Sequence, residues 1–384
     1  MSPQVLGDLS PARFLADYWQ KQPLMVRGAW PGFHDPLIPE ELAGLACEEG
    51  VESWLTLEQE DKEPGETRHG PFTDADFLNL PDAGWILAVA DVEKHAPDLT
   101  VMLEPFRFIP DWRIQGLTIS YATPPGTVGP LVNDGDRFLL QGQGRQYWQI
   151  AARTVAPDAD FVPEQEWVLE PGDLLYLPPG IIYRGATLEP GLIYTVDCCA
   201  PSHRELLGGF LGFLREGMDP SARYADPDLA VQGNPGEISL VALAKVRELL
   251  RRTIALDDET LAIWLGCHLS TPKPGFQAEP EPEPYDEDAL RDHLRGGGNL
   301  ERNPGSRFCY IAEPEWETVL FVDGQEFALG REVAFMAPLL CRHRVLTPAL
   351  LREALKRSDA QQLLLDLLNE GYLAIYEDTA DEGE

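Results

Sequence analysis

From residue 96 to residue 202 the chain has no histidine; its seven lie at His34, His69, His95, His203, His268, His293 and His343. Chemistry in that stretch therefore falls to carboxylates, thiols, phenols and guanidinium groups. Asp134-Gly135-Asp136 sets two carboxylates one residue apart, a pattern that can hold a hard divalent ion with help from carbonyls and water. A D-x-D pair falls far short of a calcium loop, and a solvated acidic turn is the simpler reading. Cys198-Cys199 follows Asp197. On a strand, neighbouring cysteines point to opposite faces, so at most one can enter a pocket; Cys198 is the candidate, with packing the commoner role for a buried thiol. Tyr183 and Arg184 are candidates for a polar contact in the same region, as is Arg145. His203 stands before a helical block, where a cap or interface role suits it better than catalysis. Gly142-x-Gly144 and Gly296-Gly-Gly298 lack the strand-loop-helix context of a nucleotide site.

The elements that must position these groups are legible from period and punctuation. The segment from Phe14 to Pro23 reads as an amphipathic helix stopped by proline, followed by a short strand, Leu24 to Val26. Pro39 to Glu49 reads as a helix with proline at its start and acids in its first turn. From about Trp112 to Pro201, runs such as Leu117–Tyr121, Phe138–Leu140, Tyr147–Ile150 and Ile193–Val196 are separated by Gly and Pro. Short strands at that spacing predict an antiparallel sandwich or barrel. Glu170 to Gly180 reads as turn, buried strand, turn, with prolines at the strand's end.

Past Pro201 the period becomes helical. Arg204 to Glu216 carries Leu206, Leu207, Phe210, Leu211 and Leu214 at three- and four-residue spacing, and Ile238–Leu250 and Thr260–Leu269 continue it. So apolar a block after a complete barrel is expected to dimerise. Thr271 to Pro284 is Pro/Glu-rich and predicts an extended connector. Beyond it come a helix (286–295), strands at 307–311 and 318–322, a hairpin turn at Asp323-Gly324, helices over 332–341 and 348–370, and a strand at 372–376. That order suits a small winged-helix-like domain with a frayed acidic end, 377–384.

The chain has 384 residues, 44% hydrophobic and 9% aromatic, enough for true cores and more than one domain. It has no run of eighteen apolar residues and no charged-then-apolar leader, which argues against a membrane span or secretion. Six scattered cysteines without a C-x-x-C pair suit free thiols in a reducing cytoplasm. A formal charge of −34 repels phosphate backbones, making nucleic acid a poor partner and basic proteins a better one.

Three stretches resemble one known family. Tyr18-Trp19-Gln20-Lys21-Gln22-Pro23, Pro110-Asp111-Trp112-Arg113 and Glu170-Pro-Gly-Asp-Leu-Leu-Tyr-Leu-Pro-Pro-Gly180 are similar to the cupin-4 branch of the JmjC oxygenases, and within it to the bacterial ribosomal oxygenases. The resemblance implies a mixed α+β chain. A double-stranded β-helix (jelly-roll) barrel with N-terminal decoration would span 1–202, a helical dimerisation region 203–270, a linker 271–284 and a winged-helix-like domain 285–384. It further implies a cytoplasmic homodimer that uses Fe(II) and 2-oxoglutarate on a basic ribosomal protein.

Such oxygenases hold iron with two histidines and one carboxylate, leaving positions open for cosubstrate and oxygen. The family places a His-x-Asp after a Gly-Pro and a second His after the Leu-Pro-Pro-Gly turn. The matching positions here carry Leu131, Asn133 and Tyr183. At the positions that hold the far carboxylate of 2-oxoglutarate, Ala122 replaces a hydroxyl residue and Gln146 an arginine, with Arg145 on the opposite strand face. On these residues the expectation is a non-catalytic binder of a basic protein or small ligand, using no cofactor. The alternative is an active 2-oxoglutarate-dependent protein hydroxylase with a non-standard metal site.

Overall fold

A strand exposes one row of side chains to each face, so short strands bury an apolar row on both sides only when sheets are stacked or covered. The computed structural model describes residues 5–59, 62–151, 161–255, 257–313 and 316–376, and their contacts divide the chain into two units, Met1–Ala200 and Pro201–Glu384. Every described strand pair is antiparallel.

The described residues of the first unit hold twelve strands. They are β1 (Leu24–Val26), β2 (Ser53–Gln59), β3 (Lys62–His69), β4 (Trp85–Val89), β5 (Ile114–Ala122) and β6 (Thr127–Val132). After these come β7 (Asp136–Gln141), β8 (Arg145–Ala151), β9 (Gln165–Leu169), β10 (Leu174–Leu177), β11 (Ile182–Glu189) and β12 (Gly191–Cys198). Eight form a sheet in the order β1-β10-β7-β12-β5-β4-β2-β3, and four form a second, β6-β11-β8-β9. The result is a jelly roll of two sheets, not one closed hydrogen-bonded cylinder. The N-terminal strands β2 to β4 widen the larger sheet beyond the expected span. The hairpin partner β3 carries Lys62, Glu63, Pro64 and Gly65, a polar run with no strand signature, and it forms because β2 is already paired to β4.

Alternation fixes which residues face which way. On the larger sheet, Leu117 and Ile119, Phe138 and Leu140, and Leu192, Tyr194 and Val196 join the main core. That core is completed by helix α1 (Pro11–Asp17), helix α2 (Pro39–Leu45) and the 3-10 segment Pro97–Phe106. Helix α1 begins earlier than its apolar period predicts, because the Ser10 hydroxyl caps Arg13 N and Pro11 sits in the first turn. Its Phe14 is fully buried, with ring centroids of Tyr18, Trp19, Phe108, Phe138 and Tyr176 4.9 to 6.3 Å away. Two short helices, α3 (Asp74–Leu78) and α4 (Val92–His95), flank β4 in sequence. The other faces of β7, β10 and β12 meet the small sheet through Leu139, Leu175, Leu177, Ile193, Trp148, Ile150 and Tyr183.

The second unit opens with α5 (His203–Glu216), α6 (Leu240–Ile254) and α7 (Asp258–Ser270). Residues 271–286 contain neither helix nor strand, as the proline content predicts. The segment is nevertheless docked: Glu281 N donates to Asn369 O at 2.8 Å, and Ala278 and Tyr285 pack on the unit's own core. There follow α8 (Glu287–Arg295), β13 (Asn299–Arg302), β14 (Phe308–Ile311), β15 (Thr318–Val322) and β16 (Gln325–Leu329). The unit closes with α9 (Met336–Arg342), β17 (Val345–Leu346), α10 (Ser358–Asn369) and β18 (Leu373–Tyr376). One expectation needs correction. The stretch from Pro348 to Glu370 is not a single helix but two 3-10 turns, Leu350–Arg352 and Ala354–Lys356, before α10. Arg357, extended at φ −125°, breaks the run. The acidic end, 377–384, lies outside the described residues.

Because Phe14 joins α1 to the aromatic rings of two strands, Phe138 on β7 and Tyr176 on β10, Phe14→Ala should cost about 3–5 kcal/mol of stability. Urea unfolding would measure it; a loss below about 1 kcal/mol would mean α1 is not part of the core.

Candidate functional site

The faces of the two sheets that do not serve the main core enclose a cavity of about 720 Å³. Register sets its walls in rungs. Asp197 pairs with Arg137, Thr195 with Leu139 and Thr118, and Ile193 with Ser120. On the small sheet Tyr183 pairs with Ile150, Gly185 with Trp148, and Thr187 with Gln146. Strand β6 can lie this close to β11 only because Gly129 has no side chain: at φ +85° a Cβ there would sit 2.5 Å from Tyr183 O.

At one end of the cavity a cation has been built in. Arg137 Nε donates to Asp197 Oδ1 at 2.6 Å, and Nη1 donates to the Tyr183 hydroxyl at 2.6 Å. Burial opposes the guanidinium charge, but Asp197 beside it and the nearby Tyr183 and Asp134 more than compensate, so Arg137 is held above its usual value. Burial also pushes the Tyr183 phenol up, despite Arg137. Tyr183 therefore remains a protonated phenol at neutral pH.

The residues singled out in the sequence separate into two groups. Leu131, Tyr183, Ala122 and Gln146 line the cavity. Leu131 is half exposed. Asn133 is buried, and its amide Nδ2 is turned to backbone carbonyls, donating to Gly135 O at 2.6 Å, Leu177 O at 2.9 Å and Pro178 O at 3.2 Å. Asp136 belongs to the opposite side of the sheet, where Tyr176 donates to Oδ1 at 2.5 Å and Gln20 to Oδ2 at 3.0 Å. Asp134 is exposed and does not line the cavity. Arg145 pairs with Glu189 outside the sheet at 2.7 Å, and Arg184 Nε donates to Gln149 at 2.5 Å beneath Phe161. Cys198 lies in the main core, its thiol pushed up by burial, while Cys199 is exposed. For the residues that lie on strands, pleat parity decides the placement.

Sequence reasoning passed over Arg137, Trp148, Thr118, Ser120 and Thr195, which also line the cavity. A charge inside an otherwise apolar strand, Arg137-Phe-Leu-Leu, was the available signal for the first. A ferrous centre does not fit the three aligned positions. Leu131 has no donor atom, Asn133 offers only a neutral oxygen while its amide nitrogen is held by carbonyls, and Tyr183 is a phenol hydrogen-bonded to a cation. Among the described residues no three His, Cys, Asp or Glu side chains converge as a metal-binding group.

The likeness to known proteins extends over nearly the whole chain. A JmjC-domain family model matches residues 101–206, and a ROXA-like winged-helix model matches 250–374. The ribosomal protein uL16 3-hydroxylase of Escherichia coli is 32% identical over 372 residues, covering 94% of this chain and 96% of that protein. The chain belongs to the JmjC ribosomal-oxygenase family. A solved structure of the E. coli ribosomal oxygenase YcfD, in complex with cobalt and 2-oxoglutarate, superposes with a TM-score of 0.85 at 32% identity, covering 96% of this chain and 99% of that one. A probable ribosomal oxygenase of Haemophilus influenzae is 28% identical over 65% of the chain.

Family membership corrects two expectations. The reading as a non-catalytic binder gives way, because the relative matched from end to end is a hydroxylase. The expectation of no cofactor gives way with it, since YcfD was solved with a metal and with 2-oxoglutarate. The physical reason is that three side chains test one ligand set only. A cavity with other polar groups, on a chain matched over 94% of its residues, is a broader constraint than those three positions.

Tyr183→Phe would leave Arg137 Nη1 without its acceptor in a half-dry cavity, at a cost of about 1–3 kcal/mol. Thermal or urea denaturation checks this; an unchanged midpoint would show that the hydroxyl is not what holds the guanidinium.

Proposed function

We propose that the chain is a 2-oxo-acid-dependent protein hydroxylase acting on a basic ribosomal protein, with a non-standard centre in the cavity between its sheets. What supports the reading is the likeness to uL16 3-hydroxylase over 94% of the chain, together with a roomy cavity kept at the family's reaction site. The aligned positions Leu131, Asn133 and Tyr183 do not provide the family's ligands. Glu58 and Asp197 are the carboxylates among the described residues that line the cavity, Asp197 paired with Arg137 and Glu58 accepting from Thr127 N. A net charge of −34 attracts a basic substrate at modest salt and disfavours nucleic acid. Free cysteines in the described residues fit a cytoplasmic protein, and no described helix is long and apolar enough to cross a membrane.

The chain is expected to add one oxygen to a basic ribosomal-protein peptide when supplied with Fe(II), ascorbate and saturating 2-oxoglutarate under air. Mass spectrometry would read the gain, which EDTA and Asp197→Asn should both abolish. No mass gain with any ribosomal-protein substrate would overturn the reading.

Within the second unit we assign 203–270 to dimerisation, 271–284 to a linker and 285–384 to the winged-helix-like domain. Helix α6 is 15 residues long without a single buried residue, a poor prospect for an isolated helix. Its Leu243, Val246, Leu249 and Leu250 are exposed, as are Leu207 and Leu211 on α5, whereas Phe210 already packs 5.0 Å from Trp264. A second copy covering these rows in a two-fold contact accounts for them. Light scattering at micromolar concentration should give twice the chain mass, and Leu243→Glu with Leu250→Glu should return it to the single-chain value.

A further inference from the structure

Among the described residues Arg137 is the one cation that lines the cavity. The position aligned with the family's carboxylate-holding arginine carries Gln146, and Arg145 beside it is turned outward to Glu189. A carboxylate entering the cavity therefore meets a guanidinium on β7, in the larger sheet, and none on β8.

That guanidinium is held in place without being used up. It has five N–H groups in one plane; Nε donates to Asp197 and Nη1 to the Tyr183 hydroxyl, and Nη2 has no partner among the described residues. Its side chain stays 30% exposed, so the remaining N–H groups are open to a ligand. The Tyr183 hydroxyl accepts from Arg137 and keeps its own proton to give. Two residues before Asp197 on the same face of β12, Thr195 pairs with Thr118 of β5, and both line the cavity. Neither hydroxyl is bonded to another side chain among the described residues, so each can turn to a ligand oxygen. Asp197 and the nearby Asp134 offset the guanidinium charge. The attraction for a carboxylate therefore lies in directed N–H and O–H groups, which a planar carboxylate matches with two oxygens.

We propose that Arg137, with the Tyr183 hydroxyl, binds a carboxylate of 2-oxoglutarate, so that the grip on the cosubstrate has moved from the smaller sheet to the larger. The choice of 2-oxoglutarate rests on the hydroxylase reading above; the role of Arg137 rests on its open N–H groups and its place in the cavity. Asp197 is then a positioning residue, which aims the guanidinium by taking Nε and leaves the rest of the fork free.

The test is calorimetric titration of the full chain with 2-oxoglutarate, in EDTA and without peptide, so that failure of catalysis does not touch it. The unaltered chain should bind one equivalent, and Arg137→Gln should weaken binding at least about tenfold. Because Arg137→Gln leaves Asp197 without its cation, the double variant Arg137→Gln with Asp197→Asn keeps the comparison free of a lone charge. It should bind as weakly as the single variant, with near-UV circular dichroism unchanged. Asp197→Asn alone removes a like charge beside the ligand and should tighten binding about threefold, the opposite of what a merely structural ion pair would give. Absence of binding by the unaltered chain, or equal affinity in the double variant, would overturn the proposal. Binding through Arg137 without any peptide hydroxylation would sink the enzyme reading and leave this one standing. Hydroxylation with an affinity for 2-oxoglutarate indifferent to Arg137 would do the reverse.

Discussion

Everything in the first unit depends on the pleat of three neighbouring strands, β5, β7 and β12. Each must satisfy two opposite environments with alternate residues. Leu117, Ile119, Phe138, Leu140, Tyr194 and Val196 supply the main core, and Thr118, Ser120, Arg137, Thr195 and Asp197 supply the cavity. A slip of one residue in any of them would put a guanidinium or a carboxylate into the aromatic cluster around Phe14 and an apolar row into the cavity. The cost of burying an unpaired charge makes the register far more strongly specified than strand propensity alone would.

The same constraint accounts for the arrangement in the cavity. Arg137 is tolerated between the sheets because Asp197 stands on its partner rung and Tyr183 reaches it from the facing sheet. A cation matched by one carboxylate and one phenol is a satisfied network, and such networks hold a single geometry. That network is flanked on the facing sheet by Trp148, whose ring centroid lies 5.9 Å from that of Tyr183.

In the second unit the balance differs. The winged-helix core around Leu300, Leu320, Met336, Leu340 and Leu364 is fully buried, whereas α5 and α6 have no buried residue at all. One part of the unit holds itself together by packing; the other presents apolar rows whose stability has to come from a further surface.

Much of this was present in the sequence. Composition and punctuation determined that the middle third is antiparallel and that helices follow it, because turn residues and hydrophobic period are local properties. The absence of histidine between 96 and 202 determined only that no residue of that stretch can supply an imidazole. What the sequence did not reveal was decided by distant partners. The polar strand β3 exists because β2 needed a neighbour, and Asp136 turns to Tyr176 and Gln20 because α1 covers that face. Arg137 becomes a cavity residue only when Tyr183, 46 positions later, meets it across the sheets. Gln146 and Trp148 read as ordinary strand residues until burial takes away their water. The type of each side chain is fixed locally, but whether its polar atoms are paired is a property of the assembled walls.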